Sequence, residues 1–65
     1  MKNPRYSLND VVSFEYYGKL LRGKISVVDA FGTFEQHEEP SYDILVDDES
    51  SRTLYKHVRE SWIKE

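Results

Sequence analysis

The chain has 65 residues, of which nine are Lys or Arg and twelve are Asp or Glu, so its net charge is −3. A chain of this length forms one domain and buries only about 60% of the surface that its unfolded form exposes. It contains no Cys, which excludes a disulfide framework, a thiolate metal site and a thiol nucleophile. Its apolar runs are two or three residues long, which predicts no membrane span and no signal peptide, and therefore a cytoplasmic protein.

The first predicted strand follows a short polar segment. We expect residues 1–5 to be flexible, and Leu8-Asn9-Asp10 is a turn signal because Asn and Asp tolerate turn geometry. Residues 11–17 then alternate between apolar and polar positions, which is typical of a half-buried strand. The side chains predicted to share its buried face are Val12, Phe14 and Tyr16. Gly18-Lys19 ends the pattern.

A second strand is predicted over residues 21–28, with Gly23 inside it. A glycine within a strand usually marks a bulge or a close approach of another backbone. Residues 29–40 contain Gly32, Pro40 and an acidic stretch, and they are interpreted as a long exposed loop with a short strand around residues 33–35.

The second half of the chain continues the same pattern of short strands and polar turns. Strands are predicted over residues 41–46 and 52–57, with a polar turn between them, and a helical turn over residues 58–61 precedes a last strand at Trp62-Ile63. Five short strands with frequent turns predict an all-β protein, a small five-stranded antiparallel barrel. Its predicted core is Val12, Phe14, Ile25, Val27, Tyr42, Ile44, Val46, Leu54, Val58, Trp62 and Ile63.

The order of these features resembles the SH3-like barrels, in particular the small Tudor-like and KOW-like versions of bacteria and phages. The resemblance rests on Leu8-Asn9-Asp10-Val11-Val12, on the hairpin through Gly18 and Gly23, and on residues 55–63. Asn9 stands where a KOW motif often has Gly, and the flanking charges are mixed. The resemblance implies an SH3-like barrel with a short turn before the last strand, and together with the chain's size it suggests a phage or mobile-element product.

Catalysis is not expected. The Ser residues lie in predicted turns or on outward strand positions, and neither His adjoins a nucleophile in the sequence. A catalytic triad needs a rigid, water-excluding cleft, and the interior of a barrel this small is filled by its own side chains. We therefore predict a protein that is not an enzyme and needs no cofactor.

Two acidic segments are candidate metal sites. One contains Glu35, His37, Glu38 and Glu39, and the other is Asp47-Asp48-Glu49. The first lacks the His spacing that presents two imidazoles to one ion, and the second lacks the Gly and terminal Glu of a calcium-binding loop. Both are interpreted as solvated loops, so no metal site is predicted.

A small basic group points to nucleic acid. Lys19, Arg22 and Lys24 follow Tyr16-Tyr17, and Arg22 and Lys24 have the same strand parity. Cations neutralise phosphates, and an exposed ring can stack on a base. The alternative is that these cations pair across strands with Glu15 or Asp43. The candidate nucleic-acid site comprises Tyr17, Lys19, Arg22 and Lys24.

Aromatic side chains are more numerous than a five-stranded core can bury. They include Tyr6, Tyr17, Phe31, Phe34, Tyr42, Tyr55 and Trp62. Exposed rings beside acidic residues are the means by which SH3-like folds bind proline-rich or cationic segments. We therefore expect a protein or peptide to bind near Tyr17, Phe31, Phe34 and Tyr55. The alternative for Phe31 and Phe34 is that both cover the open end of the barrel, and Trp62 is expected to be a core residue.

The leading hypothesis is a non-catalytic interaction module that binds an unknown protein or peptide. The runner-up is a nucleic-acid-associated accessory protein that uses the basic group of the first hairpin. Salt dependence separates the two, because phosphate binding weakens steeply as salt rises and aromatic burial does not. A monomer and a weak dimer both fit the sequence.

Overall fold

Four antiparallel strands, each paired with the next along the chain, form one sheet in the computed structural model, which describes residues 4–32 and 37–64. The predicted all-β class is confirmed, and within the described residues no helix is long and apolar enough to cross a membrane. The helical turn expected over residues 58–61 is a 3₁₀ turn at Glu60–Trp62. The short strand predicted around residues 33–35 lies outside the described residues. The strands are β1 (Val11–Tyr16), β2 (Lys19–Asp29), β3 (Ser41–Asp47) and β4 (Arg52–Arg59).

The predicted five-stranded closed barrel is wrong, because the described residues form an open sheet of four strands. The predicted last strand is reduced to one bridge between Ile63 and Phe14, beside which the Lys64 N–H donates to the Ser13 carbonyl at 2.7 Å. The sheet nevertheless curls, so that the rings of Phe14 on β1 and Tyr55 on β4 lie 5.7 Å apart. Aromatic side chains, instead of a hydrogen-bonded ladder, therefore bring the first and last strands together.

The hairpin between β1 and β2 has a two-residue turn at Tyr17 and Gly18. Both residues have positive φ, 49° and 87° respectively, and Tyr16 is the register partner of Lys19. Positive φ at both central residues is the type I′ turn, whose twist matches that of the flanking strands. The predicted break at Gly18-Lys19 therefore falls one residue late, and Tyr17 belongs to the turn and not to the strand.

Gly23 marks a close approach of two backbones. A Cβ atom at this position would lie 2.5 Å from the Leu45 carbonyl oxygen and 2.8 Å from Cγ2 of Ile44 on β3. Any side chain at residue 23 would therefore push β2 away from β3. Of the two predicted roles of Gly23, a bulge or a close approach of another backbone, the geometry shows the close approach.

The sheet bends along a line through Asp43. On β2 the register shifts between Ile25 and Val27, and on β4 it shifts opposite Asp43, where His57 has a φ of 60°. The His57 N–H donates to Oδ1 of Asp43 at 3.1 Å. A bulge adds one residue to its strand and reverses which face the following side chains occupy. Two bulges on either side of β3 therefore bend the sheet around the core.

The core lies on the concave face, and it differs from the prediction at four positions. Val27 and Leu54 are exposed, with 48% and 42% of their surface accessible, and Val46 and Trp62 are half-buried. The bulges explain two of the errors, because Val28 and Tyr55 face the core in place of Val27 and Leu54. The buried core residues are Val12, Phe14, Ile25, Tyr42, Ile44, Val58 and Ile63.

Two acidic side chains fix the 3₁₀ turn from opposite directions. Oε2 of Glu60 accepts hydrogen bonds from the Tyr42 hydroxyl and from the Arg5 N–H, both at 2.8 Å. The carboxylate of Glu39 accepts the Ser61 N–H at 2.7 Å and the Ser61 hydroxyl at 3.0 Å. The turn that carries Trp62 is thus attached to β3, to the N-terminal segment and to the residues before β3.

Candidate functional site: an aromatic cluster between the first and last strands

Four aromatic side chains meet where β1 approaches β4, and we call them the aromatic cluster: Tyr16, Tyr17, Tyr55 and Trp62. The ring centroid of Tyr16 lies 4.8 Å from Tyr17, 4.9 Å from Tyr55 and 5.9 Å from Trp62. Tyr17 and Trp62 are 5.8 Å apart. All of these pairs are edge-to-face, the arrangement that the quadrupoles of aromatic rings favour. Tyr16 is therefore the centre of the cluster.

Each member of the cluster comes from a different structural element. Tyr16 ends β1, Tyr17 is the first residue of the hairpin turn, Tyr55 lies on β4, and Trp62 ends the 3₁₀ turn. Fully buried Phe14 supports them from below, 6.5 Å from Tyr16 and 5.7 Å from Tyr55. The cluster thus has a rigid base in the core and an open upper surface.

The cluster is open to solvent at its outer members. Tyr17 is 83% exposed, and the other three rings are half-buried. An edge-to-face pair leaves part of each ring face uncovered. An uncovered ring face can pack against a proline ring or an aliphatic side chain, with the tyrosine hydroxyls available as hydrogen-bond partners.

A cation borders the cluster. The Arg59 guanidinium lies 5.7 Å from the centroid of the Trp62 ring, in a cation–π arrangement. Lys64 and Glu15 form a loose ion pair at 3.9 Å, with both side chains about half exposed. Glu15 pairs with Leu20 on the face of β1 opposite to Tyr16, and a surface ion pair of this kind contributes little stability.

The structure brings together some of the predicted peptide-binding residues and separates others. Tyr17 and Tyr55 both contact Tyr16 in the cluster. Phe31 is 65% exposed but follows the far end of β2 from the hairpin turn, and Phe34 lies outside the described residues. Sequence reasoning did not place Tyr16 or Trp62 at the site. The adjacent tyrosines in the sequence were the signal for Tyr16, and for Trp62 only the 3₁₀ turn reveals its position.

The basic group of the first hairpin is divided between the faces of the sheet. Lys19 is the register partner of Tyr16, whereas Arg22 and Lys24 pair with Ser13 and Val11 on the opposite face. Nη1 of Arg22 donates to Oγ of Ser13 at 3.1 Å. The acidic partners considered for these cations are engaged elsewhere, Glu15 with Lys64 and Asp43 with the His57 amide.

Comparison with known proteins adds no relative. No protein-family model matches the chain, and no curated protein or solved structure matches it. Membership of the SH3-like barrels therefore stays a prediction.

Two other features of the molecule are weaker candidates for a site than the aromatic cluster. An open depression of about 250 Å³ at the start of β1 is lined by Tyr6, Asp10, Val11 and Val12, but the Asp10 carboxylate already accepts the Ser7 N–H at 2.9 Å. Over residues 4–32 and 37–64, no three His, Asp or Glu side chains are grouped to hold a metal ion. Glu35, part of the acidic segment considered as a ligand set, lies outside these ranges.

Proposed function

We propose that this protein is a non-catalytic interaction module that binds an extended, proline-containing segment of a partner protein on the aromatic cluster. The observation that carries the proposal is the convergence of four rings from four structural elements on one partly exposed surface. Proline-rich segments bind in aromatic-lined grooves because their polyproline II conformation is formed before binding and loses little entropy.

The backbone of Tyr17 supports a binding role. Its φ of 49° lies in the left-handed region, where an L-residue with a bulky side chain is unfavourable by about 1–2 kcal/mol. Asn, Asp or Gly is the usual residue at this position of a type I′ turn. Backbone strain of this kind is concentrated at functional sites. A strained tyrosine with 83% of its surface in water supports a role in contacting a ligand.

The test uses the fluorescence of Trp62, the only Trp in the chain. The probes are decapeptides that contain two prolines separated by two residues, with the same peptides carrying Gly for Pro as controls. We expect the proline peptides to change the emission of Trp62, and the Tyr17→Asn variant to bind about tenfold more weakly. Phe31→Ser is the matched control, since it removes an exposed ring at the other end of β2 and leaves binding unchanged. Equal binding of both peptide series, or equal loss in both variants, contradicts the proposal.

Nucleic-acid binding is the second candidate, and one observation favours it. Arg22 and Lys24 project from the convex face, where within the described residues neither makes an ion pair. A phosphate backbone bound there would lose affinity steeply with salt, whereas a peptide on the aromatic cluster would not. The Arg22→Glu/Lys24→Glu double variant, which changes only the convex face, abolishes binding of a mixed-sequence DNA or RNA under this candidate and leaves the proline peptides bound.

A further inference from the structure

The two edges of the sheet differ in how far their backbone groups are covered. The outer edge of β1 is covered at its centre, where Ile63 bridges to Phe14 and the Lys64 N–H donates to the Ser13 carbonyl. β4 is the last strand in the order, and in the described part of the chain no backbone other than that of β3 hydrogen-bonds to Arg52–Arg59. An uncovered edge presents a row of N–H and C=O groups that can pair with another strand.

The register shows which groups of β4 are free. The Asp48 N–H donates to the Ser51 carbonyl at 2.9 Å at the turn between β3 and β4. Because antiparallel pairs alternate between bonded and non-bonded positions, Thr53 bonds to β3, and the amides and carbonyls of Arg52 and Leu54 point to the open edge. The usable edge ends near Lys56, because the next residue is the bulged His57, whose N–H is taken by Asp43.

The open edge is also basic. Residues 52–56 contain Arg52 and Lys56, and β4 has no acidic residue, in a chain whose net charge is −3. The ion pair of Arg52 with Asp47, at 3.4 Å between two mostly exposed side chains, is weak. Two copies paired antiparallel along this edge would set cations against cations, which is unfavourable. The charge therefore selects against self-pairing and in favour of an acidic partner.

We propose that the open edge of β4, over residues 52–56, accepts an extended acidic segment of a partner protein as an added strand. The side chains of residues 52, 54 and 56 project from the same face of β4. On an added strand, acidic residues would therefore lie beside Arg52 and Lys56, and an apolar residue between them would lie beside Leu54. Its backbone would bond to the free groups of Arg52 and Leu54. The acidic and apolar side chains of the added strand would lie on the convex face, where Leu54 pairs with Leu45. The ring of Tyr55, the one residue of this edge that belongs to the aromatic cluster, lies on the other face, where Tyr55 pairs with buried Ile44. The inference does not depend on the proposed function.

The test is amide hydrogen exchange on the labelled protein with a capped peptide of sequence Glu-Thr-Val-Thr-Glu extended by one Ser at each end. At saturation we expect the Arg52 and Leu54 amides to exchange at least about tenfold more slowly, because both become hydrogen-bonded. The Thr53 amide, already bonded to β3, changes little. The same peptide with Lys for Glu, and the same peptide N-methylated at alternate residues, should give no protection.

Two variants complete the experiment. Lys56→Glu should weaken binding by about tenfold or more, whereas Lys64→Glu, which changes an exposed lysine beside β1 at the opposite edge of the sheet, should leave it unchanged. Protection without peptide that rises with protein concentration identifies a second copy as the occupant and overturns the proposal. Equal binding of the N-methylated peptide shows that charge alone attracts it and also overturns the proposal. Shifts confined to Tyr17 and Trp62 assign the peptide to the aromatic cluster, which overturns this inference and leaves the proposed function standing.

Discussion

The hydroxyl of Tyr42 donates a 2.8 Å hydrogen bond to Oε2 of Glu60, and this bond attaches the 3₁₀ turn that carries Trp62 to the start of β3. The same hydroxyl accepts the Tyr6 N–H at 3.4 Å, and the rings of Tyr6 and Tyr42 pack edge-to-face at 5.8 Å. Burial, followed by the hydrogen bond to the Glu60 carboxylate, raises the pKa of Tyr42 to about 12. The neutral phenol is thus part of the folded structure, and its ionisation opposes folding.

The first prediction concerns alkaline pH. Because the folded-state pKa of Tyr42 is about 12 and the ordinary value is 10.0, its contribution to stability is complete below pH 10 and is lost as the pH rises toward 12. The free energy of unfolding of the native protein should therefore fall more steeply across this interval than that of Tyr42→Phe. Urea titrations at pH 9 and pH 11 measure the difference, the other four tyrosines being common to both proteins. Parallel pH profiles would show that Tyr42 ionises freely in the folded state.

The second prediction compares a glycine required by a close backbone contact, Gly23, with a glycine in an open turn, Gly18. Gly23→Asn should destabilise the fold by about 1–3 kcal/mol or more, since its Cβ would lie 2.5 Å from the Leu45 carbonyl oxygen. Gly18→Asn is the matched control. A Cβ at residue 18 meets no atom within 4 Å, so the cost of this variant is the strain of the left-handed backbone at a φ of 87°, which Asn adopts more readily than most side chains. We expect a loss of no more than about 1 kcal/mol, smaller than that at Gly23. Similar losses at both sites in urea unfolding would mean that β2 and β3 are not in tight contact at Gly23.

The third prediction compares a core ring with a cluster ring. Phe14 is fully buried, so Phe14→Ala should lose about 3–5 kcal/mol and leave so small a domain largely unfolded. Trp62 is half-buried, and Trp62→Ala should lose only about 1–2 kcal/mol and stay folded. Amide dispersion in a two-dimensional NMR spectrum checks both variants. If Trp62→Ala unfolds, Trp62 is a core residue and does not belong to the candidate site.

The fourth prediction is that Tyr17 lowers the stability of the fold and contributes to ligand binding. Tyr17→Asn relieves the strain of the left-handed backbone conformation, which is about 1–2 kcal/mol for a residue with a bulky side chain. It also removes the edge-to-face contacts with Tyr16 and Trp62, which stabilise the fold by less because Tyr17 is exposed. Its midpoint of urea unfolding should equal or exceed that of the parent, even though the variant binds proline peptides less well. A loss of more than about 1 kcal/mol would mean that Tyr17 serves the fold and is not held there for a ligand.

The positions of the four strands along the chain could be predicted from the sequence, and the faces of two of these strands could not. Alternation of apolar and polar residues gave β1 and its inward residues correctly, because β1 has no bulge. On β2 and β4 a bulge reverses the alternation, so that Val27 and Leu54 were assigned to the wrong face. Neither bulge carries a glycine. The left-handed residue on β4 is His57, which nothing in the local sequence distinguishes from an ordinary strand residue.

The failure of the barrel to close and the assembly of the aromatic cluster could not be predicted from the sequence either, and the bulges are again the reason. Both depend on how far a bulged sheet curls, which sets whether β1 and β4 pair through backbone or through rings. Tyr17 and Tyr55 were predicted as binding residues because rings outnumbered core positions, and the structure places both against Tyr16. Their neighbour Trp62 was assigned to the core on size alone, since its position depends on the long-range bonds of Glu60 and Glu39.

The most direct test of the central claim is the Trp62 indole N–H resonance, the only one in the chain, followed in an amide NMR titration with a proline-containing decapeptide. We predict that this resonance shifts together with the amides of Tyr16, Tyr17 and Tyr55, with little change when salt is raised. A peptide that binds while these four residues stay unmoved, or that shifts only Phe31 and the convex face, would contradict the assignment of the aromatic cluster as the binding surface.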